Sequence, residues 1–274
     1  MRLVFTGSRL LSGDGLMLEL RSVSKIFGEL SALHQIDLLF PPGKVSGLIG
    51  PNGSGKTTLV NIITGIYAPD TGQILFNGVD IVGSTADQVS RFGVARTFQN
   101  IRIFSRMTVL ENVLAASISL NNPSWVTLLG YAKGGNDPRL DMAYKALETV
   151  DLLNEADVVA GKLPLPLRRR LEIARAFVRN PELLFLDEPA GGMTPAETAN
   201  VASLIRERIA PGRTCIVIEH KMDLISDVCQ HLCVLNHGEK IAEGPPSIVL
   251  EQPQVIEALS LIHISEPTRR YAIA

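Results

Sequence analysis

Residues Gly50-Pro-Asn-Gly-Ser-Gly-Lys-Thr-Thr58 carry the most specific chemical pattern in this chain. Gly50 and Gly55 enclose four residues and are followed by Lys56 and Thr57, a spacing typical of a loop that wraps around phosphate. Glycine suits such a loop because a Cβ would block the close approach of the backbone. The lysine would supply a point charge to the β- and γ-phosphates, and the threonine hydroxyl would bind Mg²⁺. The predicted phosphate-binding residues are Gly50, Pro51, Asn52, Gly53, Ser54, Gly55, Lys56, Thr57 and Thr58.

The segments on either side of this loop have the periodicity that such a site needs. Lys44–Gly50 alternates towards a buried strand, and Thr58–Thr64 has the apolar spacing of a helix. A strand that turns through glycines into a helix directs several backbone N–H groups and a helix N-terminus to one point, which makes an anion site. The alternative is a glycine-rich turn with a chance lysine, and the flanking strand and helix favour the phosphate site over it.

A second group of candidates ends the apolar run Leu183–Asp187, which is followed by Glu188 and Pro189. Such a run is typical of a parallel strand buried on both faces, and ligands of open α/β sheets bind at the C-terminal ends of such strands. Asp187 is predicted to hold Mg²⁺, and Glu188 to act as general base on the attacking water. Taken alone, the pattern also fits a strand that ends in solvated acids, but the phosphate loop upstream favours the catalytic interpretation.

Two further strand-like runs end in side chains that suit the same site. Thr214–His220 ends in a histidine, which is predicted to donate a hydrogen bond to the γ-phosphate. Gly93–Phe98 precedes Gln99, whose amide is predicted to contact Mg²⁺ or the attacking water. A lone histidine at a strand end is more often structural, and a lone glutamine is more often an ordinary loop amide. Only their occurrence together with the phosphate loop and the two acids makes His220 and Gln99 functional candidates.

The order of these motifs resembles that of an ATP-binding cassette (ABC) transporter ATPase, in which a phosphate loop, glutamine loop, helical segment, signature helix, Asp-Glu strand and histidine switch follow one another. The resemblance covers about Met17 to Ala258. It implies an α/β fold in which a P-loop (RecA-like) parallel-sheet core carries an antiparallel β section and a helical subdomain. Within the family, five segments resemble the subgroup that energises branched-chain amino-acid import. They are Ala95–Phe104, Leu171–Ala176, Asp187–Ala190, Ile218–His220 and Ile241–Gly244.

The resemblance also implies ligands and partners. The ligand is ATP with Mg²⁺, held by Thr57, Gln99 and Asp187, and Phe27 stands where the family places an aromatic that stacks on adenine. A phenylalanine taken by itself is more often a core residue, so this role of Phe27 depends on the resemblance. The implied partners are a second ABC ATPase subunit, here expected to give a heterodimer, and a transmembrane permease whose coupling helix docks in a groove near Gln99 and the helical subdomain.

The signature loop departs from the family pattern. That loop normally reads Leu-Ser-Gly-Gly-Gln, or in this subgroup a variant that keeps the second glycine, whereas this chain has Leu163-Pro-Leu-Pro-Leu167. In the family dimer the loop covers the γ-phosphate bound by the opposite subunit. Pro164 lacks the serine hydroxyl and Pro166 lacks an N–H donor, so this half-site is expected to be weak unless the two prolines are a sequence error.

Composition and hydropathy limit the functions and the cellular locations that are compatible with this sequence. A chain of 274 residues, 46% of them hydrophobic, can bury a substantial core, and its net charge of −2 gives no reason to invoke nucleic acid. The sequence has no apolar run long enough to span a bilayer and no signal-peptide core at its N-terminus. The resemblance therefore implies a cytoplasmic protein, peripheral on the inner face of a prokaryotic plasma membrane and not inserted into it.

The cysteines fit a reducing compartment better than a disulfide framework. Cys229, His231, Cys233 and His237 are close in sequence, but their spacing matches no standard zinc arrangement. Together with Cys215, the two nearby cysteines are predicted to be core residues.

The chain is expected to contain an ABC ATPase domain at 17–258, with a helical subdomain at about 101–168 inside it. Residues 1–16 are expected to form an N-terminal extension, which is not native if translation starts at Met17. Leu259–Arg269 has the sequence that a transposase-based sequencing adapter encodes when it is read through as a gene. Residues 259–274 are therefore predicted to be an artefact that packs poorly against the body.

Two rival functions remain open from the sequence. One is a non-transport ABC protein of translation or DNA repair, although such proteins usually carry two cassettes or a long coiled-coil insertion, and neither is apparent here. The other is a degenerate subunit that binds ATP in a regulatory or non-transport role with little turnover, which the proline-containing signature keeps open. An ATPase assay with and without the partner subunits separates this second alternative from an importer ATPase.

Overall fold

The computed structural model describes residues 17–99, 101–117 and 138–264. Its strands form one four-stranded sheet, ordered β2-β1-β4-β5, and one six-stranded sheet, ordered β10-β9-β3-β8-β7-β6. The strands are β1 (Leu18–Phe27), β2 (Leu30–Phe40), β3 (Val45–Ile49), β4 (Thr71–Phe76), β5 (Val79–Asp80), β6 (Val94–Arg96), β7 (Leu183–Asp187), β8 (Thr214–Ile218), β9 (His231–Asn236) and β10 (Glu239–Gly244).

The six-stranded sheet positions the candidate site. β3 lies between β8 and β9 and pairs with both in parallel, and β7 pairs in parallel with β8 and β6. Every residue of β3, β7 and β8 is buried, as expected for strands covered by helices on both faces. Because these strands run in the same direction, the segments that follow Ile49, Arg96, Asp187 and Ile218 emerge at one edge of the sheet.

The four-stranded sheet is antiparallel throughout. Its core side is lined by apolar side chains from β1 and β2 that alternate with exposed ones, the pattern of a strand with one buried face. The sequence therefore predicted both the parallel core and the antiparallel β section correctly.

Helices cover the sheets, and two short 3₁₀ turns lie at Leu153–Glu155 and Ala160–Lys162. The helices are α1 (Lys56–Ile63), α2 (Ala86–Arg91), α3 (Val109–Ser117), α4 (Pro138–Thr149), α5 (Leu165–Phe177), α6 (Pro195–Leu204), α7 (Met222–Val228), α8 (Pro246–Val249) and α9 (Pro253–Ile264). α6 continues into a π-helical turn at Ile205–Ile209. In the described part of the chain no helix is long and apolar enough to cross a membrane.

α3, α4 and α5 pack against one another and form the helical section expected after Gln99. The helix breakers in 121–138 predict a variable surface excursion between two helices. α4 begins at its last residue, Pro138, and proline is tolerated in the first turn of a helix. The rest of this stretch, 121–137, lies outside the described residues.

The three cysteines are free and buried, as the core-packing interpretation expected. Burial raises the pKa of the Cys215 and Cys229 thiols to about 12, so both are neutral and unreactive near neutral pH.

Leu259 does not show the poor packing that was expected from residue 259 onward. α9 extends past the expected domain end at Ala258 to Ile264, and Leu259 packs against the main hydrophobic core. The expected poor packing is thus wrong for Leu259 itself, which follows the apolar face of the helix set by Val255 and Ala258. The origin of residues 259–274 in an adapter stays a prediction, as do the boundaries at 17 and 258.

Candidate functional site

The loop between β3 and α1 has the backbone shape of a phosphate cradle. Gly53 and Gly55 have φ values of 79° and 101°, a left-handed region that side-chain-bearing residues rarely adopt. At Gly50, an added Cβ would lie 2.0 Å from the carbonyl oxygen of Leu235, so no other residue fits there. Close contacts thus require glycine at positions 50 and 55, and the backbone conformation favours it at position 53, as the spacing predicted.

The N-terminus of α1 is free to bind an anion. Its N-cap residue, Gly55, offers no side chain to cap the helix, and its first turn contains no acidic residue. The first N–H groups of a helix have no partners within the helix, and its dipole favours negative charge at that end. The loop therefore fits a phosphate chain.

Lys56 turns back into the loop. Its Nζ donates hydrogen bonds of 2.8 Å to the carbonyl oxygens of both Gly50 and Pro51. Burial lowers the pKa of Lys56 to about 8, although the negative charges of Glu188 and Asp187 act in the opposite direction. An anionic phosphate at this point would raise this pKa again, because an opposite charge nearby favours the charged form.

Glu188 follows β7 in a left-handed backbone conformation with φ of 48°, which is uncommon for a residue other than glycine. The Nε2 of Gln99 donates a hydrogen bond of 3.0 Å to its Oε1, and the Nε2 of His220 lies 3.3 Å from the same oxygen. The hydrogen bond from His220 and its charge, with smaller effects from Gln99 and Arg169, outweigh burial and lower the pKa of Glu188. The three predicted catalytic side chains therefore meet in one cluster, and its carboxylate is ionised near neutral pH.

Asp187 is the buried end of β7. Its main-chain N–H donates to Thr97 Oγ1 over 2.9 Å, and its Oδ2 accepts a hydrogen bond from Arg96. Among the described residues no hydrogen bond reaches its Oδ1, and none involves the exposed hydroxyl of Thr57. Carboxylate and hydroxyl oxygens are ligands that Mg²⁺ prefers, so the donor set fits the predicted metal, while the sharing of one ion by Thr57 and Asp187 stays a prediction.

Phe27 ends β1 and is 42% exposed, so it is not the core residue of the alternative interpretation. Its ring meets the Tyr67 ring edge-to-face at a centroid distance of 5.4 Å, and Lys25 Nζ lies 5.4 Å from the ring centroid. An exposed aromatic ring fixed by two neighbours is suited to stacking on a base, and this role stays a prediction.

Several residues around the site have no recognisable signal in the sequence. Glu219, buried and adjacent to the histidine, accepts hydrogen bonds from the N–H groups of His220 and Ala190 and so ties together the segments that follow β8 and β7. Arg169 on α5 donates to the carbonyl oxygens of Phe98 and Gln99. The contacts of Glu219 with Ala190 and of Arg169 with Phe98 and Gln99 join segments far apart in sequence. Only the position of Glu219 directly before a candidate histidine could have drawn attention to it.

The signature segment lies at the start of α5. Pro164 is the N-cap residue, and Pro166 stands in the first turn of the helix, where its missing N–H breaks no intrahelical hydrogen bond. Arg168 secures the segment by donating to the carbonyl oxygens of Leu163 and Gly161. The prolines are therefore compatible with the fold. What they remove is hydrogen-bond donors that could otherwise bind a ligand.

A phosphate cradle at the start of a helix, with two carboxylates, a glutamine and a histidine converging beside it on a parallel sheet, defines the class of P-loop nucleotide-binding ATPases. The ABC transporter family matches residues 33–191, and the chain belongs to that family.

Named relatives and solved structures agree with this membership. The "High-affinity branched-chain amino acid transport ATP-binding protein LivG" of Escherichia coli is 39% identical over 260 residues, covering 91% of this chain and 96% of the relative. BraF of Pseudomonas aeruginosa, with the same description, is 39% identical over 246 residues, covering 88% and 96%. A crystal structure of the ADP conformation of an ATP-binding cassette has a TM-score of 0.80 at 35% identity and covers 92% of this chain and 99% of that one.

Proposed function

We propose that this chain is the ATP-hydrolysing subunit of an importer for branched-chain amino acids. The observation that carries the proposal is the cluster of Gln99, Glu188 and His220 beside an open phosphate cradle. The descriptions of LivG and BraF support the transport role and the substrate class, and they favour an importer over a regulatory subunit or an ABC protein of translation or repair.

In this proposal the chain's own residues divide the work of binding and hydrolysis. The loop from Gly50 to Thr58 and the α1 N-terminus bind the phosphates, and Phe27 stacks on the adenine. Thr57, Gln99 and Asp187 hold Mg²⁺, which when bound offsets negative charge on the phosphates.

Glu188 is placed to take the proton of the attacking water. Its carboxylate is held by Gln99 and His220, and its pKa is lowered, so it is ready to accept a proton near neutral pH. His220 lies next to the same carboxylate and would donate to the γ-phosphate.

A groove of about 380 Å³ supports docking to a membrane permease. It lies between α2, β6 and α5, and Phe98, the neighbour of Gln99, forms part of its wall. A helix from a permease seated in this groove would contact the segment that carries Gln99. Such a contact would place the chain on the inner face of the membrane without inserting it.

A second ATPase subunit is the other proposed partner. Because Pro164 and Pro166 remove a hydroxyl and an N–H from the signature segment, a partner with an intact signature would best complete the hydrolytic site of this chain. A heterodimer is therefore favoured over a homodimer.

Reconstitution tests the proposal as a whole. The chain would be placed in liposomes with the permeases, second ATPase subunit and binding protein of a branched-chain amino-acid importer, and leucine uptake and phosphate release would be measured. ATP-dependent uptake that is lost with Glu188→Gln supports the proposal. ATP hydrolysis without uptake of any branched-chain amino acid would reject the substrate class, and no hydrolysis in the complete complex would reject the enzymatic role.

A further inference from the structure

Arg96 is bound to the carboxylate that is proposed to serve Mg²⁺. Its Nη2 donates to Asp187 Oδ2 over 2.7 Å, and its Nη1 donates to Asn61 Oδ1 over 2.6 Å. Arg96 and Asp187 end the neighbouring parallel strands β6 and β7, which brings the two side chains together at the edge of the sheet where the site lies. The arginine thus joins α1, which follows the phosphate loop, to the end of β7.

The pair is nearly removed from water. The side chains of Arg96 and Asp187 are 8% and 9% exposed, and the guanidinium also lies over the Phe98 ring at 5.6 Å. A buried carboxylate without a counter-charge is costly, and removing one partner of a buried pair leaves such a charge behind. The arginine therefore neutralises Asp187 while no cation is bound.

Only one of the two Asp187 carboxylate oxygens accepts a hydrogen bond from the described residues. Oδ2 is held by Arg96, whereas Oδ1 accepts no hydrogen bond from the described residues and is available to a cation or its water. Two cations at one carboxylate repel each other, and a like charge nearby weakens the binding of the second. A free divalent ion must therefore bind Asp187 against the charge of Arg96, but the phosphates of a nucleotide would supply the missing attraction.

We propose that Arg96 is a positioning residue that serves as a built-in counter-ion of Asp187. It holds and orients the carboxylate when no nucleotide is bound and keeps its affinity for free divalent cations low, so that the metal enters together with the nucleotide. This inference rests on the proposed role of Asp187 in holding Mg²⁺.

Binding of Mn²⁺ without nucleotide tests the idea, because Mn²⁺ occupies the same oxygen sites as Mg²⁺ and free Mn²⁺ is visible by electron paramagnetic resonance. Arg96→Gln should bind Mn²⁺ at least about tenfold more tightly than the parent, since a neighbouring unit charge shifts such equilibria by about one to three powers of ten. Mn²⁺ alone should also raise the melting temperature of this variant and not that of the parent. Arg96→Lys, which keeps a positive charge, should behave like the parent. Equal Mn²⁺ affinity of Arg96→Gln and the parent would overturn the proposal.

A double variant covers the case in which Arg96→Gln does not fold. Arg96→Gln with Asp187→Asn carries no buried charge at this pair, so it should fold and should bind no Mn²⁺ without nucleotide. If the double variant also fails to fold, Arg96 is needed for something other than the charge of Asp187, and the proposal is wrong.

Asp187→Asn alone separates this proposal from the proposed function. If that single variant binds nucleotide with the parent's dependence on Mg²⁺, Asp187 does not serve the metal and the underlying assignment fails. If it loses that dependence while Arg96→Gln behaves like the parent, only the counter-ion role fails.

Discussion

Gln99 Nε2 donates a hydrogen bond of 3.0 Å to Glu188 Oε1, which links the segment after β6 to the carboxylate after β7. The same oxygen lies 3.3 Å from His220 Nε2, so one carboxylate joins segments that follow three strands of the sheet. The Gln99 segment borders the groove proposed for the permease. A movement of this segment would therefore change the hydrogen bond to the proposed catalytic base. With the proposed docking and the proposed base, this contact would connect the docking of a permease to hydrolysis.

Replacing the proposed base separates binding from turnover. Glu188→Gln keeps the shape of the side chain but cannot accept a proton, so turnover should fall by about 10²–10⁴-fold while nucleotide affinity stays close to that of the parent. Phosphate release and fluorescent-nucleotide binding measure the two effects. Glu197→Gln, which changes a carboxylate in the capping box at the start of α6 to an amide that can still cap the helix, is the control. Turnover equal to the parent's would refute the role of Glu188.

Nucleotide affinity should depend on the protonation of Lys56. Its pKa in the nucleotide-free protein is lowered by burial to about 8, from an ordinary value of 10.5. Below pH 8 the amine is already charged, and above it binding must take up a proton, so affinity should be flat at low pH and fall above pH 8. The expected loss is about tenfold between pH 7 and pH 9. Titrations of nucleotide at several pH values measure it.

The Lys56→Met variant controls for other groups that titrate in this range. It should bind nucleotide weakly and show little change in affinity over the same pH interval. A parent whose affinity is constant from pH 7 to pH 9 would contradict the role of the lysine charge. The same shift predicts that ionisation of Lys56 makes the nucleotide-free protein more stable as pH rises from about 8 towards 10.5, because the unfolded chain then binds the proton more tightly.

The buried pair Arg169 and Glu172 should hold the glutamine segment in place. Glu172 accepts a hydrogen bond from the Phe98 N–H, and Arg169 donates to the carbonyl oxygens of Phe98 and Gln99. Glu172→Gln should lower the free energy of unfolding by about 1–3 kcal/mol, since Arg169 loses its charged partner. Turnover should fall more than nucleotide affinity does, because Gln99 is displaced and the phosphate loop is not.

Urea unfolding and steady-state kinetics test that prediction together. Glu207→Gln, which breaks an exposed ion pair with Arg206, is the matched control and should change stability by no more than about 0.5 kcal/mol. If Glu172→Gln loses stability but keeps the parent's turnover, the pair is structural only. Unchanged stability would mean that the buried charge of Arg169 is compensated elsewhere.

The proline-containing signature should limit activity when the chain pairs with itself. Each hydrogen bond to a charged phosphate contributes about 1.5–3 kcal/mol, so two lost donors weaken the half-site by about 10²–10⁴-fold if they add. Pro164→Ser together with Pro166→Gly should therefore raise homodimer ATPase activity by at least about tenfold. A heterodimer with an intact partner should already show one competent and one weak half-site.

Pro245→Ser makes the same exchange at the N-cap of α8 and should leave activity unchanged. Phosphate release at saturating MgATP compares the variants. A restored double variant that is no faster than the parent would show that this segment is not the limiting defect.

Truncation tests the C-terminal boundary. A chain that ends at Ser260 keeps Leu259 and should have the parent's melting temperature and nucleotide affinity, because residues beyond it are predicted to be foreign to the fold. A chain that ends at Ala258 loses the packing of Leu259 and should melt a few degrees lower, in line with about 1 kcal/mol. A large loss of stability in the longer truncated chain would contradict the predicted boundary.

The sequence alone determined those structural elements that a pattern of neighbouring residues reveals. The glycine spacing before Lys56, the apolar run that ends at Asp187 and the alternation of β1 and β2 each depend on neighbouring residues, so periodicity and loop chemistry revealed them. Their order along the chain then suggested the family, and with it the parallel sheet that brings the motifs together.

Only the tertiary structure decided how the charges are paired. Arg96 and Asp187 are 91 residues apart in sequence, and Arg169 and Gln99 are 70 residues apart, so neither contact has a periodic signal. Whether a buried charge finds a partner depends on distances across adjacent strands and on the exclusion of water. Those quantities are set when the strands and helices pack, because an arginine and a carboxylate that are solvated in the unfolded chain acquire a defined partner only at that stage.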